Sequence, residues 1–587
     1  VIEARFDDLT GDEPSFRLVE PAGVLQADAP DEIAGVLEAA DAAAARGLWV
    51  AGFVAYEAAP GLDPALVVRP RTGAGPTDAV PLAWFAMFEG RQETVLPDPP
   101  EDTGAAAEAT WTPGVDRGRY DAAIERIRGH IAAGDTYQVN HTLRLHARVQ
   151  GDPRGLYRDL SHAQRGAYGA YLDTGRHRII SASPELFFRI DGDRIVTKPM
   201  KGTAPRGRWL AEDLAARGRL QASVKDRAEN AMIVDLLRND IARVARAGTV
   251  RWGDVFEAER FETVWQLTST VEASLEPGVG LVEVFRALFP CGSVTGAPKV
   301  STMRIIAELE DAPRGVYCGT VGYVAPAGAS GPRARFNVAI RTAVQDAVTG
   351  AATYGVGGGI TWDSSAGAEY AETVAKAKVL TERRPGFRLF ETMLAPAGEP
   401  VRHLDRHVRR IADSATFFGF AADPDALWAA ADGLRDPTRT MRIRLVLDRH
   451  GRIEVGAVPA PRHPDTVRVA IDDGHPVDPG DVFLFHKTTR RSVYDEARSR
   501  HPDSEDVVLV NTRGEVTETT IANIAVRLDG QWWTPPLDAG LLAGIGREVA
   551  LEQERVRERP VTVDELRTAD AVTLISDNRG WRTATLG

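Results

Sequence analysis

The chain has 587 residues, 43% of them hydrophobic and 26% charged, with a net charge of −13. That length exceeds one hydrophobic core and predicts two to four domains, while the acidic balance argues against a nucleic-acid binder, which carries a basic face. Two cysteines, Cys291 and Cys318, exclude a disulfide framework and a cysteine-rich zinc site and fit a reducing cytosol. No apolar run reaches the roughly 20 residues of a membrane helix. The sequence from Val1 shows neither the basic nor the apolar region of a signal peptide, so a cytoplasmic protein without a membrane anchor is expected.

Residues 1–90 alternate strand-like runs (LWVAGFVAYEAA, PLAWFAMFEG) with an alanine-rich helix over 31–46, which predicts a sheet-containing lobe. Residues 91–114 are rich in Pro, Ala and Glu without periodicity and predict an exposed linker. A core region follows over 115–383, opening with a helix that ends at Gly134 and a strand, TYQVNHTLRLHARV. SASPELFFRI places Glu185 after a Ser-Pro turn, where a glutamate is by default solvated. The run TKPMKGTAPRG puts Lys198 and Lys201 in a turn punctuated by Gly and Pro. In the helical pattern after it, Met232, Ile233, Leu236 and Leu237 fall three, four, seven and eight positions after Glu229, the spacing of one helix face. Glu229 is therefore expected to point toward a core, either paired with an arginine or as a metal ligand.

FPCGSVTGAPKVST is not a Walker loop, because Lys299 lacks a following Ser or Thr and Pro298 interrupts it. The backbone amides of such a turn, at Thr295, Gly296 and Ala297, suit a carboxylate. GTVGYV, which carries Tyr323, and ARFNVAIRTAV predict adjacent buried strands, and Arg341 is costly to bury without an anionic partner such as a substrate carboxylate. Gly357, Gly358 and Gly359 allow close backbone approach to an anion. Glu369, Glu372 and Lys376 then share one helix face at i, i+3 and i+7, and with Glu229 they offer oxygen ligands for Mg²⁺.

KPMKGTAPRG followed by KDRAENAMIVDLLRND closely resembles the chorismate-utilising enzymes, which comprise anthranilate, aminodeoxychorismate, isochorismate and salicylate synthases. The GSVTGAPK turn matches the same family, and GDTYQVN, with Asn140, resembles its aminodeoxychorismate branch. Anthranilate-type enzymes carry alanine where Lys201 stands; the aminodeoxychorismate and isochorismate branches carry lysine. The resemblance implies that Lys201 attacks ring C2 and expels the C4 hydroxyl, after which ammonia takes C4. It implies that Glu185, sixteen residues before Lys201, is the general acid. It further implies that Tyr323, Arg341, the glycine run, Lys376 and Gln266 bind substrate, and that Glu229 and Glu372 hold Mg²⁺ directly and Glu369 through water. Family members often have histidine at Gln266; glutamine keeps a positioning role but cannot titrate.

Beyond Glu382 a new pattern begins. FRLFETMLAPAGEPVRHLDRHVRRI and VVLVNTRGEVTETTIANIAV, with AGIGRE further on, resemble the fold-type IV pyridoxal-phosphate enzymes, which include D- and branched-chain aminotransferases and aminodeoxychorismate lyase. This resemblance implies a phosphate contact from Arg410, the Schiff-base lysine at Lys487, a pyridine-nitrogen contact from Glu518, and phosphate binding by the amides of Ile545 and Gly546. Many relatives have Thr or Ser in place of Gly546. The segment before FRLFET is short for this fold, so the opening strand is expected to be lost or supplied by the first domain.

The two resemblances together imply a mixed α/β chain of two domains. Residues 1–383 would form a chorismate-binding, β-sandwich-like domain, and 384–587 a class IV aminotransferase-like domain. The implied activity is a fusion of an aminodeoxychorismate synthase component I with an aminodeoxychorismate lyase, making 4-aminobenzoate for folate or a related product. Neither cysteine sits in a glutaminase context, so the resemblance also implies a separate glutamine amidotransferase subunit as ammonia source, and a homodimer through the second domain. Three alternatives stay open: an aminotransferase in the second half, a non-catalytic scaffold there, or an isochorismate- or salicylate-type first half.

Overall fold

The computed structural model describes residues 2–71, 79–100, 109–380 and 385–587. The chain divides into two compact units, Val1–Pro205 with Arg217–Pro385, and Arg206–Ala216 with Gly386–Gly587. The expected boundary at 383/384 and the middle of the expected 91–114 linker lie outside the described residues.

In the first unit, 17 strands join one antiparallel sheet. Its order follows from the pairings: Phe16–Ala27 lies between Glu3–Asp7 and Ala83–Glu93, and Ala83–Glu93 continues through Trp49–Val54, Thr320–Val324 and Ala334–Val338 to Leu186–Asp191. From Glu3–Asp7 the sheet runs the other way, through Tyr168–Asp173, His177–Ser183, Thr342–Asp346 and Ala351–Ile360 to Gln138–Arg148. Residues 1–90 thus belong to the same sheet as the region after 115 and are not a separate lobe. Strand alternation sends one set of side chains, including Phe6, Phe16, Trp49, Ala51, Leu172, Ile179, Val321 and Val344, into a core enclosed by the sheet. The other set packs under the helices Ile33–Ala45, Leu281–Leu288 and Val224–Ala242. The helix Arg117–Ala133 is capped by Asp116, which accepts from the Arg119 N–H, and stops at Gly134 in the left-handed region.

The second unit has a three-stranded antiparallel sheet, Leu389–Ala395, Met441–Leu447 and Ile453–Pro459. One face of it is covered by the helices Leu404–Phe418 and Pro424–Asp432, over a core that includes Met393, Ile443 and Leu445. Beside it stands an eight-stranded mixed sheet in which Thr466–Val477 lies parallel to both Asp506–Asn511 and Gly580–Leu586.

Residues 206–216 are the unforeseen part of this unit. The Trp209 ring lies 5.2 Å from Phe485, and the Arg208 carbonyl stands 3.0 Å from His486 Nε2. Arg206 donates to the Phe417 carbonyl and forms a buried ion pair with Asp213. The first half of the chain does supply a piece to the second unit, as a turn and helix start and not as a strand.

Candidate active sites

The first unit holds a cavity of about 490 Å³. Lys201 enters it from the strand Met200–Pro205, while its neighbour Lys198 pairs with Glu259 and is removed from the chemistry. Lys201 has no ion-pair partner among the described residues. Asn230, buried on the helix Val224–Ala242, fixes this strand by donating to the carbonyls of Lys201 at 3.1 Å and Leu267 at 3.3 Å, while its own oxygen accepts from Ser269. The sequence reading missed Asn230, although a polar residue amid the apolar stripe was the available signal. Glu229, next to it, is partly exposed on the cavity side of that stripe and lies 4.0 Å from Lys225.

Glu185 lines the same cavity and is buried, with one carboxyl oxygen lacking any hydrogen-bond partner. Burial pushes its pKa up to about 7, against the pull of Ser293, the Met200 amide and the Lys201 charge. It therefore keeps a proton near neutral pH, as a general acid must.

The opposite wall is the strand Ala351–Ile360. A β-carbon on Gly359 would stand 2.6 Å from Lys201 Nζ and 2.7 Å from Gln138 Nε2, and one on Gly357 would stand 2.2 Å from the His141 carbonyl oxygen. At Gly357 the backbone leaves no room for a side chain, and at Gly359 one would have to displace the ends of Lys201 and Gln138. Gln138 buries both amide atoms without partners beside this point, and it too went unread in the sequence. Lys376 donates to the Gly357 carbonyl at 3.0 Å and pairs with Glu372 at 2.6 Å. Arg341 does not lie in a buried strand as expected: it occupies a break between strands at φ +51°, partly exposed to the cavity, and donates to the Lys376 carbonyl at 2.5 Å. Gln266 lines the cavity and accepts from the Thr203 hydroxyl at 3.0 Å.

Four expected contacts fall elsewhere. Tyr323 is 3% exposed and packs its ring against Phe6, Phe16 and Trp49, because alternation along Thr320–Val324 turns it into the enclosed core. Thr295 is fully buried with its hydroxyl on the Cys291 and Gly292 carbonyls, and Gly296 and Ala297 pair with Val139 and Gln138 as a short strand. That pairing consumes the turn, and Ser293 and Val294 line the cavity in its place.

Glu229, Glu369 and Glu372 share the cavity wall. Burial, then the Glu372 charge, raise the pKa of Glu369, whereas at Glu372 the effect of burial is outweighed by Lys376 and the pKa falls. The oxygen donors and the mutual repulsion suit a divalent cation. Among the described residues no three carboxylates converge on one point, and Glu372 is paired with Lys376.

The second unit holds a cavity of about 720 Å³ that brings together Arg410, Lys487, Glu518, Ile545 and Gly546. Burial, then the Arg410 charge, lower the Lys487 pKa to about 8, and its amine lies 4.9 Å from the centre of the Phe390 ring. Glu518 accepts from the Tyr494 hydroxyl at 2.9 Å and the Leu542 amide at 3.2 Å, yet burial holds its pKa up at about 7. Arg410 makes two bonds of 2.7 Å to Glu391 and one of 2.9 Å to the Ala543 carbonyl. Glu391 also bonds His407, whose second nitrogen faces Asp577 at 3.2 Å. A β-carbon on Gly546 would stand 2.8 Å from the Asp577 nitrogen. The close Ser576–Asp577 backbone leaves no room there for a Thr or Ser side chain. A buried amine, a carboxylate across from it and a helix start beside an arginine fit pyridoxal phosphate in chemistry and in place.

Residues 6–382 match the chorismate binding enzyme family. The chain belongs to the chorismate-binding enzymes. Residues 388–586 of this enzyme match amino-transferase class IV, so the two families follow one another along the chain. It is 40% identical over 327 residues to aminodeoxychorismate synthase of Streptomyces griseus, covering 55% of this chain and 44% of that one. It is 38% identical over 296 residues to anthranilate synthase component 1 of Streptomyces coelicolor, covering 50% and 56%. The chain thus spans about half the length of the curated relatives it matches. Anthranilate synthase component I from Streptococcus pneumoniae, a solved structure, superposes with a TM-score of 0.54 at 26% identity, covering 63% of this chain and 93% of that one.

Proposed function

We propose that the first domain converts chorismate and ammonia to 4-amino-4-deoxychorismate, and that the second releases pyruvate from it to leave 4-aminobenzoate. The observation that carries this reading is the pairing in one cavity of a lysine without an ion-pair partner, Lys201, with a glutamate that keeps its proton near neutral pH, Glu185. The similarity to an aminodeoxychorismate synthase supports it.

Lys201 adds to ring C2, both ring double bonds shift toward C4, and the C4 hydroxyl leaves as water with the proton of Glu185. Ammonia then bonds to C4 and the C2–lysine bond breaks, which restores both the diene and the free amine. Arg341 and the amides of Gly357–Gly359 orient the ring by its carboxylates, and Gln266 holds position without titrating. Mg²⁺, held by Glu229 and Glu372 directly and by Glu369 through water, would neutralise a substrate carboxylate.

In the second cavity, pyridoxal phosphate, which a class IV aminotransferase domain implies, supplies an electron sink for the carbon that bears the new amine. Glu518 holds the end of the cavity where the pyridine nitrogen would lie, and Arg410 with the Ile545 and Gly546 amides holds the phosphate end. Lys487 takes the C4 proton, pyruvate leaves from C3, and the ring becomes aromatic. Ammonia comes from a separate glutamine amidotransferase subunit, in keeping with a relative named as a component 1. A cytoplasmic homodimer serving folate or a related pathway completes the reading; no described helix is long and apolar enough to cross a membrane.

The test is to incubate the full chain with chorismate, ammonium, Mg²⁺ and pyridoxal phosphate and to identify products by mass. 4-Aminobenzoate with pyruvate is expected. Anthranilate, or a hydroxylated product without nitrogen, contradicts the first step, and amino-group transfer to 2-oxoglutarate contradicts the second.

A further inference from the structure

The cavity of the second unit carries more positive charge than a cofactor phosphate uses. One face of the three-stranded sheet forms its wall. Phe390 and Thr392, Arg442 and Arg444, and Gly456 and Val458 all alternate onto that face by register, while Ile443 and Leu445 turn to the core. Arg444 is occupied, its guanidinium 4.5 Å from the Phe390 ring centre. Arg442 is not: it lines the cavity with no hydrogen-bond or ion-pair partner among the described residues. Arg579, from the turn before the strand Gly580–Leu586, lines the same cavity and likewise has no such partner.

Arg582, on the strand that follows Arg579, is 6% exposed, with two guanidinium nitrogens that meet no acceptor. Asp506 favours the charged forms of Arg579 and Arg582, and Glu505 that of Arg582, but neither acid forms an ion pair with them among the described residues. Asp506 is itself buried, and its carboxylate accepts from the Thr519 and Thr520 hydroxyls and the Val507 amide. His463 is held below its ordinary pKa by burial and then by the charges of Arg579, Arg582 and Arg442. Glu454 shares this sheet face and lines the cavity but pairs with Arg388, so Arg442 and Arg579 keep no ion-pair partner among the described residues, a cost that a bound anion would offset.

We propose that Arg442 and Arg579, backed by Arg582, form a carboxylate subsite that selects a dicarboxylate ring substrate for the Lys487 cavity. The inference rests on the lyase reading and deepens it. 4-Amino-4-deoxychorismate carries a ring carboxylate opposite its C4 amine and a second carboxylate on the enol ether at C3. With the amine at the Lys487 end, both carboxylates lie away from the phosphate end and need their own cations. Guanidinium groups suit them, since each can bind a carboxylate with two parallel hydrogen bonds.

The experiment uses the full chain loaded with pyridoxal phosphate, in wild-type form and as Arg442→Gln, Arg579→Gln, Arg442→Lys and Arg579→Lys. Chorismate, added without ammonium or Mg²⁺, is the binding probe: it has both carboxylates but no C4 amine, and its binding is read as a saturable change in the cofactor absorbance band. Pyruvate release from 4-amino-4-deoxychorismate is measured in parallel. Each glutamine variant should weaken chorismate binding and raise KM by about ten- to a hundredfold, the factor carried by a charge-assisted hydrogen bond. The same variants should hold kcat within about threefold, the pattern of lost ground-state binding. The lysine variants should recover part of the loss, and an unchanged band without probe shows that the cofactor is seated normally.

Wild-type binding in both glutamine variants overturns the subsite, and so does the absence of any chorismate effect on the wild-type band. Binding that the glutamine variants lose, in a chain that releases no pyruvate, keeps the subsite and overturns the lyase reading instead.

Discussion

Lys201 and Gly359 face each other across the first cavity so closely that a β-carbon on the glycine would stand 2.6 Å from the lysine nitrogen. The glycine is the surface against which the amine lies, and any side chain there must displace it. Gly359→Ala is therefore expected to lower 4-amino-4-deoxychorismate formation by about a hundredfold, the cost of misplacing a reacting atom by about an ångström. Pyruvate release from added 4-amino-4-deoxychorismate should stay unchanged. Assaying the two steps separately checks this.

Glu185 gives the first step a pH limb. Its pKa rises to about 7 because the charged form is buried. The proton is present at pH 6 and mostly gone at pH 8, so kcat/KM for chorismate should fall as pH rises through about 7. Glu185→Gln, which cannot deliver a proton, should remove that limb along with most of the activity.

Lys487 sets a limb of opposite sign in cofactor uptake. With its pKa lowered to about 8, the neutral amine accumulates at lower pH than in an ordinary lysine. The rate at which the cofactor-free chain takes up pyridoxal phosphate should rise with pH and level off above about 8, as followed by absorbance. Lys487→Ala should abolish the covalent band.

Gly546 has no room for a larger residue, because the Asp577 nitrogen would lie 2.8 Å from the new β-carbon. Gly546→Thr should therefore weaken pyridoxal phosphate binding by about tenfold or more, since overpacking costs roughly 1–3 kcal/mol. Equilibrium titration of the cofactor measures it.

Residues 206–216 should support the second unit. Trp209 packs on Phe485, one residue before His486 and two before Lys487. Trp209→Ala should destabilise the unit by about 2–4 kcal/mol, as large-to-small changes in packed sites do. Thermal unfolding followed by loss of the cofactor band tests this.

Much of the site was legible because its chemistry runs along short stretches of chain. Lys201, Glu185, the glycine run and the three glutamates line one cavity, and Arg410, Lys487, Glu518, Ile545 and Gly546 line the other. What escaped the sequence depends on the third dimension. The face on which Tyr323 points is set by which strands enclose which core, and the use of the Thr295–Ala297 turn is set by its pairing with Gln138 and Val139. Asn230 and Gln138 look like ordinary polar residues until the strand of Lys201 is laid beside them. The 206–216 segment carries no local sign of leaving its neighbours, since a Gly/Arg-rich turn before a helix fits either unit.

The central claim is that two separate lysines run two successive steps on one ring. The most direct measurement gives the Lys201→Ala and Lys487→Ala chains two substrates each, chorismate with ammonium and preformed 4-amino-4-deoxychorismate, and follows products by mass. Lys201→Ala should leave chorismate unreacted and still turn preformed 4-amino-4-deoxychorismate into 4-aminobenzoate and pyruvate. Lys487→Ala should accumulate 4-amino-4-deoxychorismate from chorismate and release no pyruvate. If Lys201→Ala still aminates chorismate, or Lys487→Ala still yields 4-aminobenzoate, the assignment of the two lysines is contradicted.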